Sequence, residues 1–434
     1  MNELAIALND TLDGCVVGHA LSDLGRRMYF PKGVVAQTAE AAEYAHRYDA
    51  TVGIAATDGE PIYLPSVGSL VADLSPVEAF AYAPTGGIIP LRKIWRKALL
   101  QKNPSLSGQF SLPLVTSGLT HAILLVSDLF VGEGDVVLVP DLFWGNYRLI
   151  FGERSRAQLR TFPLFPVDQQ QPTGMDLPAL DAALADVAAG AKAAVMLNFP
   201  NNPTGYSPRT DEVGQLVACL QRHAERGVTI VAICDDAYTG LFYEPDVFSQ
   251  SVFAPLAIAH ENLLAVKIDG ATKENYAWGF RVGFITFAGV SVTTNHLEAL
   301  EKKVMGAVRS SVSNSSRLSQ SVMLKAMQSA SFEQERAANL ATMAERYAAV
   351  RGVVTERDEG GIRPLPFNSG YFMTLRLERG GSEALRTSLL HQRGIGTISV
   401  SDDYLRVAYS AIKPVDIPSL FDEIYAAARE LQAK

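Results

Sequence analysis

Several residues able to do chemistry stand just beyond short apolar runs, where buried strands would present them to a cleft. Lys273 follows LLAVKI (263–268), within DGATKENYAWGFRVGF (269–284), which also carries Arg281. A lysine in a semi-buried cleft loses its proton more readily than one in water and can form a Schiff base with an aldehyde. A nearby arginine offers a phosphate two parallel hydrogen bonds. Taken alone, such a lysine is ordinarily a solvated loop residue. Asp235 and Tyr238 lie in CDDAY (234–238), after VTIVAI. An aspartate at the end of a buried strand is costly unless a cation faces it. The protonated ring nitrogen of a pyridine cofactor would be such a cation, and holding that proton makes the ring an electron sink. Tyr238 could then reach the ring's phenolic oxygen. A metal ion or a structural role would account for Asp235 as well.

Three more clusters follow apolar runs. NFPNNPTG (198–205) must turn at its prolines and presents Asn202 inward, although such turns are also common as plain loops. TSGLTHA (116–122) opens a helix, and Gly118 lets the backbone approach an anion there. The N–H groups of Gly118, Leu119 and Thr120 would face that anion at the positive helix end. In LFWGNY (142–147) the indole of Trp144 could stack on a planar ring or serve as a core aromatic.

The elements that position these residues follow from texture. Apolar, β-branched runs at 135–140, 191–199, 228–234, 263–268 and 281–287 alternate with helix-like stretches at 177–189 and 210–226. Such alternation implies an α/β fold with a mostly parallel sheet covered on both faces, whose ligands gather at the carboxyl ends of the strands. After about 304 the pattern changes. Leu340, Met343, Tyr347, Val350 and Val354 mark one stripe of a long helix. Strand-like 372–377, 397–401 and 404–410 follow, then a helix over 417–432 with Asp416 as a possible N-cap. We therefore expect a large domain over 76–310, a smaller α+β domain over 311–434, and an N-terminal segment, 1–75, packing with the smaller one.

These motifs, in this order and spacing, resemble the fold-type I pyridoxal-phosphate enzymes. Over roughly 65–415 the chain is similar to the class I and II aminotransferases of the aspartate/aromatic group. The resemblance implies a seven-stranded-type sheet and pyridoxal 5'-phosphate bound to Lys273. Gly118, Leu119, Thr120, Thr272 and Arg281 would hold its phosphate, Asp235 its ring nitrogen, and Asn202, Tyr238 and Trp144 the rest of the ring. In AYAPTGGIIPLR (81–92), Tyr82 would reach the phosphate in a neighbouring subunit, implying a homodimer with shared sites. Arg406 of YLRVAYS (404–410) would grip the substrate α-carboxylate, Gly68 of VGS (67–69) would touch the same group, and NSGY (368–371) would line the pocket. Members selective for aspartate and glutamate carry an arginine four residues before a Ser-Asn pair. Arg309 stands so before Ser313 and Asn314, although Ser315 and Ser316 replace the usual prolines, and a helix-end cap is the competing role for it. The chain also departs from the family pattern. Gly270 stands where a serine is common, Glu274 directly follows the lysine, and the first 60 or so residues match nothing in the pattern.

The implied reaction moves an amino group from an amino acid, of aspartate/glutamate or aromatic type, to a 2-oxo acid such as 2-oxoglutarate. A C–S β-lyase or a decarboxylase would use the same carbanion. A regulator with a fused DNA-binding domain is disfavoured, because the upstream stretch is short and not markedly basic. With 38 Lys and Arg against 46 Asp and Glu, the net charge is −8, which argues against a nucleic-acid partner. Three cysteines (15, 219, 234) outside any CxxC suggest a reducing, cytoplasmic setting. Seven scattered histidines (19, 46, 121, 223, 260, 296, 391) suggest no metal site. The N-terminus lacks signal-peptide character, and no apolar stretch is long enough to span a membrane.

Overall fold

The computed structural model describes residues 1–12, 21, 23–29, 33–51, 53–70, 73–169, 171–355, 357 and 361–432. Cys15 and His19 lie outside these. Seven strands form the central sheet: β1 (Leu114–Thr116), β2 (Val136–Pro140), β3 (Gln158–Phe162), β4 (Lys192–Asn198), β5 (Thr229–Asp235), β6 (Leu263–Gly270) and β7 (Gly283–Ala288). Their order is β1-β7-β6-β5-β4-β2-β3, and β7 runs antiparallel to both neighbours while the other pairings are parallel.

The continuous apolar runs arise because both faces are buried. In β5, Val231 and Ile233 enter one core with Ile123, Val126 and Trp95, whereas Ile230, Ala232 and Cys234 enter another with Leu180, Leu216 and Leu220. The helices Leu177–Ala185 and Thr210–Glu225 cover that second face. The first begins where the Asp176 side chain accepts from the Ala179 N–H at 3.0 Å, with a proline in its first turn.

Beyond the helix Phe332–Thr355, four antiparallel strands form a second sheet: β8 (Ile362–Pro364), β9 (Phe372–Leu377), β10 (Ile398–Ser401) and β11 (Tyr404–Ala408), ordered β8-β9-β11-β10. Helices Ser382–Arg393 and Ile417–Gln432 help close its core around Val350, Leu375, Leu405 and Phe421. The N-terminal stretch, expected to pack with the smaller domain, makes contacts on both sides. Arg27 Nε donates to the Glu153 carbonyl at 2.8 Å, on the large-sheet side. Tyr48–Asp49 instead pairs with Ile395–Gly396, and Gln37 bonds Ser399, on the small-sheet side. Apolar residues of the same segment join both cores, Ala50 on the small-sheet side and Ala55, Leu64 and Val67 on the large-sheet side. No helix among the described residues is long and apolar enough to cross a membrane.

One charged cluster lies wholly inside. Lys267 of β6 is 2% exposed and contacts Asp236, with Asp269 at 3.4 Å. Ser251 Oγ donates to Asp236 at 2.6 Å, and Trp95 Nε1 to Asp269 at 3.1 Å. Burial by itself would strip the Lys267 proton, but the two carboxylates outweigh it and hold that proton more tightly than water would. Lys267→Met leaves both acids uncompensated, so urea unfolding should show a loss of about 3–5 kcal/mol. Unchanged stability would mean that the ion pairs add nothing.

Candidate active site

The carboxyl ends of β4, β5 and β6 and the amino end of β7 meet at one edge of the sheet, as open α/β sheets require of a ligand site. A cavity of about 240 Å³ lies there. Asn202, Asp235, Tyr238, Thr272 and Lys273 line it, as do Leu119, Thr120, Trp144 and Arg281.

Asp235 ends β5 and is 4% exposed. Its Oδ2 accepts from the Tyr147 hydroxyl, while its buried Oδ1 has no partner. Burial raises its pKa, opposed by the Tyr147 hydrogen bond and the charge of Lys273. Lys273 sits in the short helix Ala271–Glu274, its Nζ 4.9 Å from the centre of the Tyr238 ring. Burial pushes it down to about 8, helped by Arg281 and opposed by Asp235. At neutral pH about a tenth of such amines are neutral, against about one in a few thousand for a solvated lysine.

The opposite end suits an anion. Gly118 has φ +81° and precedes the helix Leu119–Phe130. A Cβ there would lie 2.4 Å from Arg281 Nη2, so glycine is required both by the backbone and by the arginine. The first-turn N–H groups of Leu119 and Thr120 have no carbonyl within the helix to bond. The Gly118 N–H, expected to join them, is already committed to the Thr116 carbonyl at 2.9 Å, because the turn folds back on the end of β1. Thr272 Oγ1 is buried without a partner. Gly270 leaves no room for a side chain: a Cβ there would lie 2.5 Å from the Val282 carbonyl oxygen, across the β6–β7 pairing. Glu274 ion-pairs with Lys102 and with Arg336 at 2.9 Å, so its charge is neutralised.

Arg406 of β11 is 3% exposed. Its Nη1 donates to Asn202 Oδ1 at 3.1 Å and its Nη2 to the Thr51 carbonyl at 2.7 Å. The guanidinium carbon lies 4.3 Å from the centre of the Phe372 ring. Both partners are uncharged oxygens, and burial pushes its pKa down to about 10, against a pull from Tyr238.

Three expected residues lie elsewhere. Tyr82 is 90% exposed. Arg309 is exposed in the last turn of the helix Thr294–Ser311, its Nη1 2.5 Å from Ser313 Oγ. Gly68 lies exposed in the helix Pro65–Leu70 against the Tyr63 ring. The N-terminal chain passes Arg406 earlier, at Thr51 and Gly53. A Cβ on Gly53 would lie 2.9 Å from Phe372 Cζ and 3.6 Å from the Tyr238 hydroxyl. Tyr147 and Asn198 were also missed. Asn198 faces Asp235 in the β4–β5 register and donates to its carbonyl at 2.8 Å. That signal was readable, since both residues end aligned apolar runs. Away from the cavity, Asp181, Cys219 and His223 come together. Arg222 donates to Asp181 at 2.9 Å and Arg226 to His223 Nδ1 at 3.2 Å, so these groups already have hydrogen-bond partners.

The profile of the family described as aminotransferase class I and II matches residues 63–424. The chain belongs to that family. It is therefore an aminotransferase that works with pyridoxal 5'-phosphate. A probable aspartate/prephenate aminotransferase of Aquifex aeolicus is 25% identical over 348 residues, 76% of this chain and 79% of that relative. An LL-diaminopimelate aminotransferase of Gloeobacter violaceus is 30% identical over 158 residues, 36% of each chain. The crystal structure of an aminotransferase from Anaerococcus prevotii superposes with TM-score 0.80 at 24% identity, covering 93% of this chain and 98% of that one. The cavity fits the cofactor: Asp235 Oδ1 and Thr272 Oγ1 await partners, and the Gly118 cradle awaits an anion.

Only a neutral amine attacks an aldehyde, so the sign of the Lys273 shift sets a pH dependence. Uptake of pyridoxal 5'-phosphate by the apo-protein, followed by visible absorbance, should accelerate as pH rises through about 8 and level off above it. A rate that keeps climbing to pH 10 would mean that the capturing amine is an ordinary, solvated one.

Proposed function

We propose that Lys273 is the lysine that carries the cofactor and moves the substrate's proton, and that the preferred amino donors are dicarboxylic, with 2-oxoglutarate as acceptor. The observation that carries the reading is the pairing of a depressed Lys273 with a buried, unpaired Arg406 beside one cavity. Bound pyridoxal 5'-phosphate supplies an aldehyde for imine exchange and an electron sink for the carbanion at the substrate Cα. The chain supplies everything else. Asp235, steadied by Tyr147, keeps a proton on the ring nitrogen. Leu119 and Thr120 N–H, Thr272 and Arg281 hold the phosphate, Asn202 and Tyr238 the ring oxygen, and Trp144 the ring plane. Arg406 binds the α-carboxylate in a water-poor setting, where two parallel N–H···O bonds are strong. Lys273 Nζ, mostly protonated in the empty site at neutral pH but neutral in a usable fraction, takes the proton from Cα and holds it for return.

Two residues extend the site across a homodimer. Tyr82 is exposed together with Val77 and Phe80, which is the expected state of a face that a second copy covers. Arg309, unpaired with any carboxylate of the described residues, would meet the distal carboxylate of a substrate in the neighbouring site. The name of the Aquifex relative, aspartate/prephenate aminotransferase, agrees with a dicarboxylic donor. We assign the enzyme to the cytoplasm, since Cys219 and Cys234 are both buried and free.

Donor screens separate the two arginines. Arg406→Gln should lower kcat/KM for every amino acid by about 30-fold or more, the cost of leaving a carboxylate unpaired in a buried site. Arg309→Ala should lower it about 5- to 150-fold for aspartate and glutamate only. Equal loss for aromatic and aliphatic donors would reduce Arg309 to a helix cap and leave the donor open.

A further inference from the structure

His121 is buried beneath the phosphate end, at 8% exposure, and none of the roles above uses it. Its Nδ1 lies 3.1 Å from the Ser117 backbone N–H, and its Nε2 3.0 Å from Ser311 Oγ. A backbone N–H can only donate, so Nδ1 must be the unprotonated acceptor and the ring proton must sit on Nε2. Nε2–H then donates to Ser311 Oγ, whose own hydrogen goes to the Ala307 carbonyl at 2.8 Å. Every proton in this chain of bonds is accounted for with the ring neutral. Burial favours that neutral form, against a weak pull from Asp128.

The consequence falls on the anion cradle. Of the amide groups at the turn, Gly118 N–H is closed on Thr116 and Ser117 N–H on His121, which leaves Leu119 and Thr120 free for a phosphate. Ser311 belongs to the helix Thr294–Ser311, which also carries Arg309. We propose that His121 is a positioning residue for the cofactor's phosphate: in its Nε2–H form it orients the Thr116–Ser117 peptide, whose carbonyl closes on the Gly118 N–H, and ties that turn to the helix bearing Arg309. The inference rests on the reading of Leu119 and Thr120 as phosphate ligands.

The test compares pyridoxal 5'-phosphate with pyridoxal, which lacks the phosphate, by measuring the Kd of each for the apo-protein at pH 7.5. His121→Leu should weaken pyridoxal 5'-phosphate about tenfold and leave pyridoxal unchanged within about twofold, because only the amide cradle is disturbed. His121→Gln retains an acceptor able to reach back to an N–H in the manner of a capping box, and should restore native affinity within about threefold. Equal weakening of both ligands, or failure of His121→Gln to rescue, would reduce His121 to packing and overturn the proposal. Should His121→Leu fail to fold, nitrogen NMR of the native protein decides. The proposal requires a neutral ring protonated at Nε2 at pH 7.5, and a ring protonated at Nδ1 overturns it. If native protein bound pyridoxal 5'-phosphate no better than pyridoxal, the underlying phosphate assignment would fail instead.

Discussion

An aspartate whose carboxylate is buried with one oxygen unpaired is the constraint on which the rest of this molecule depends. Asp235 is held at the end of β5 by the sheet itself, by Asn198 on its backbone and by the Tyr147 hydroxyl on Oδ2. Burial pushes its pKa up, against the Tyr147 hydrogen bond and the charge of Lys273, so a further cation at Oδ1 would favour its ionised form. In the proposed reading the pyridine nitrogen of the cofactor is that partner. Around it stand two cations of different design, a half-buried lysine and a buried arginine. Lys273 is weakened enough as an acid–base group to be neutral in part at neutral pH, whereas Arg406 keeps its charge and lacks an anion. The site is thus charged on all sides and completed from outside.

Holding such a site open costs stability, and the anchoring is distributed. Arg346 donates to the Ser410 carbonyl, to the Ala56 carbonyl at 2.7 Å and to Thr57 Oγ1 at 3.0 Å. That arginine pins the N-terminal chain where it passes β11, which explains how Thr51 reaches Arg406 and how Gly53 comes to lie on Phe372. Residues ahead of the family match, Thr51 and Gly53 among them, therefore contribute directly to the surroundings of Arg406 and Phe372. Deeper in, the cluster of Lys267, Asp236 and Asp269 fixes β6 beneath Lys273 and β5 beside Asp235.

Much of this was readable in the chain. The apolar runs mark β2, β4, β5 and β6 to within two residues, because strands buried on both faces leave no polar alternation to confuse them. The helix over 417–432 and the strand over 372–377 coincide with their observed bounds. The cavity gathers the residues that follow those runs, since strand ends converge wherever the sheet is parallel. Contacts that depend on tertiary approach were not readable. Nothing in spacing relates Tyr147 to Asp235, or His121 to Ser311. The N-terminal residues carry no periodicity, so the point where they cross β11, at Thr51 and Gly53, had no local signature. The Gly118 N–H turned inward for a related reason: a glycine at positive φ marks a tight turn without saying which carbonyl closes it.

The central claim is that Lys273, and no other amine, captures the cofactor. Lys267, Lys102 and the surface lysines provide internal competitors. Reduction of the holoenzyme with borohydride, followed by proteolysis and mass spectrometry, should find the pyridoxyl group on a single peptide, attached to Lys273, with the yellow colour lost in proportion. A label on another lysine, or one spread over several, would contradict the assignment of this cavity as the seat of the chemistry.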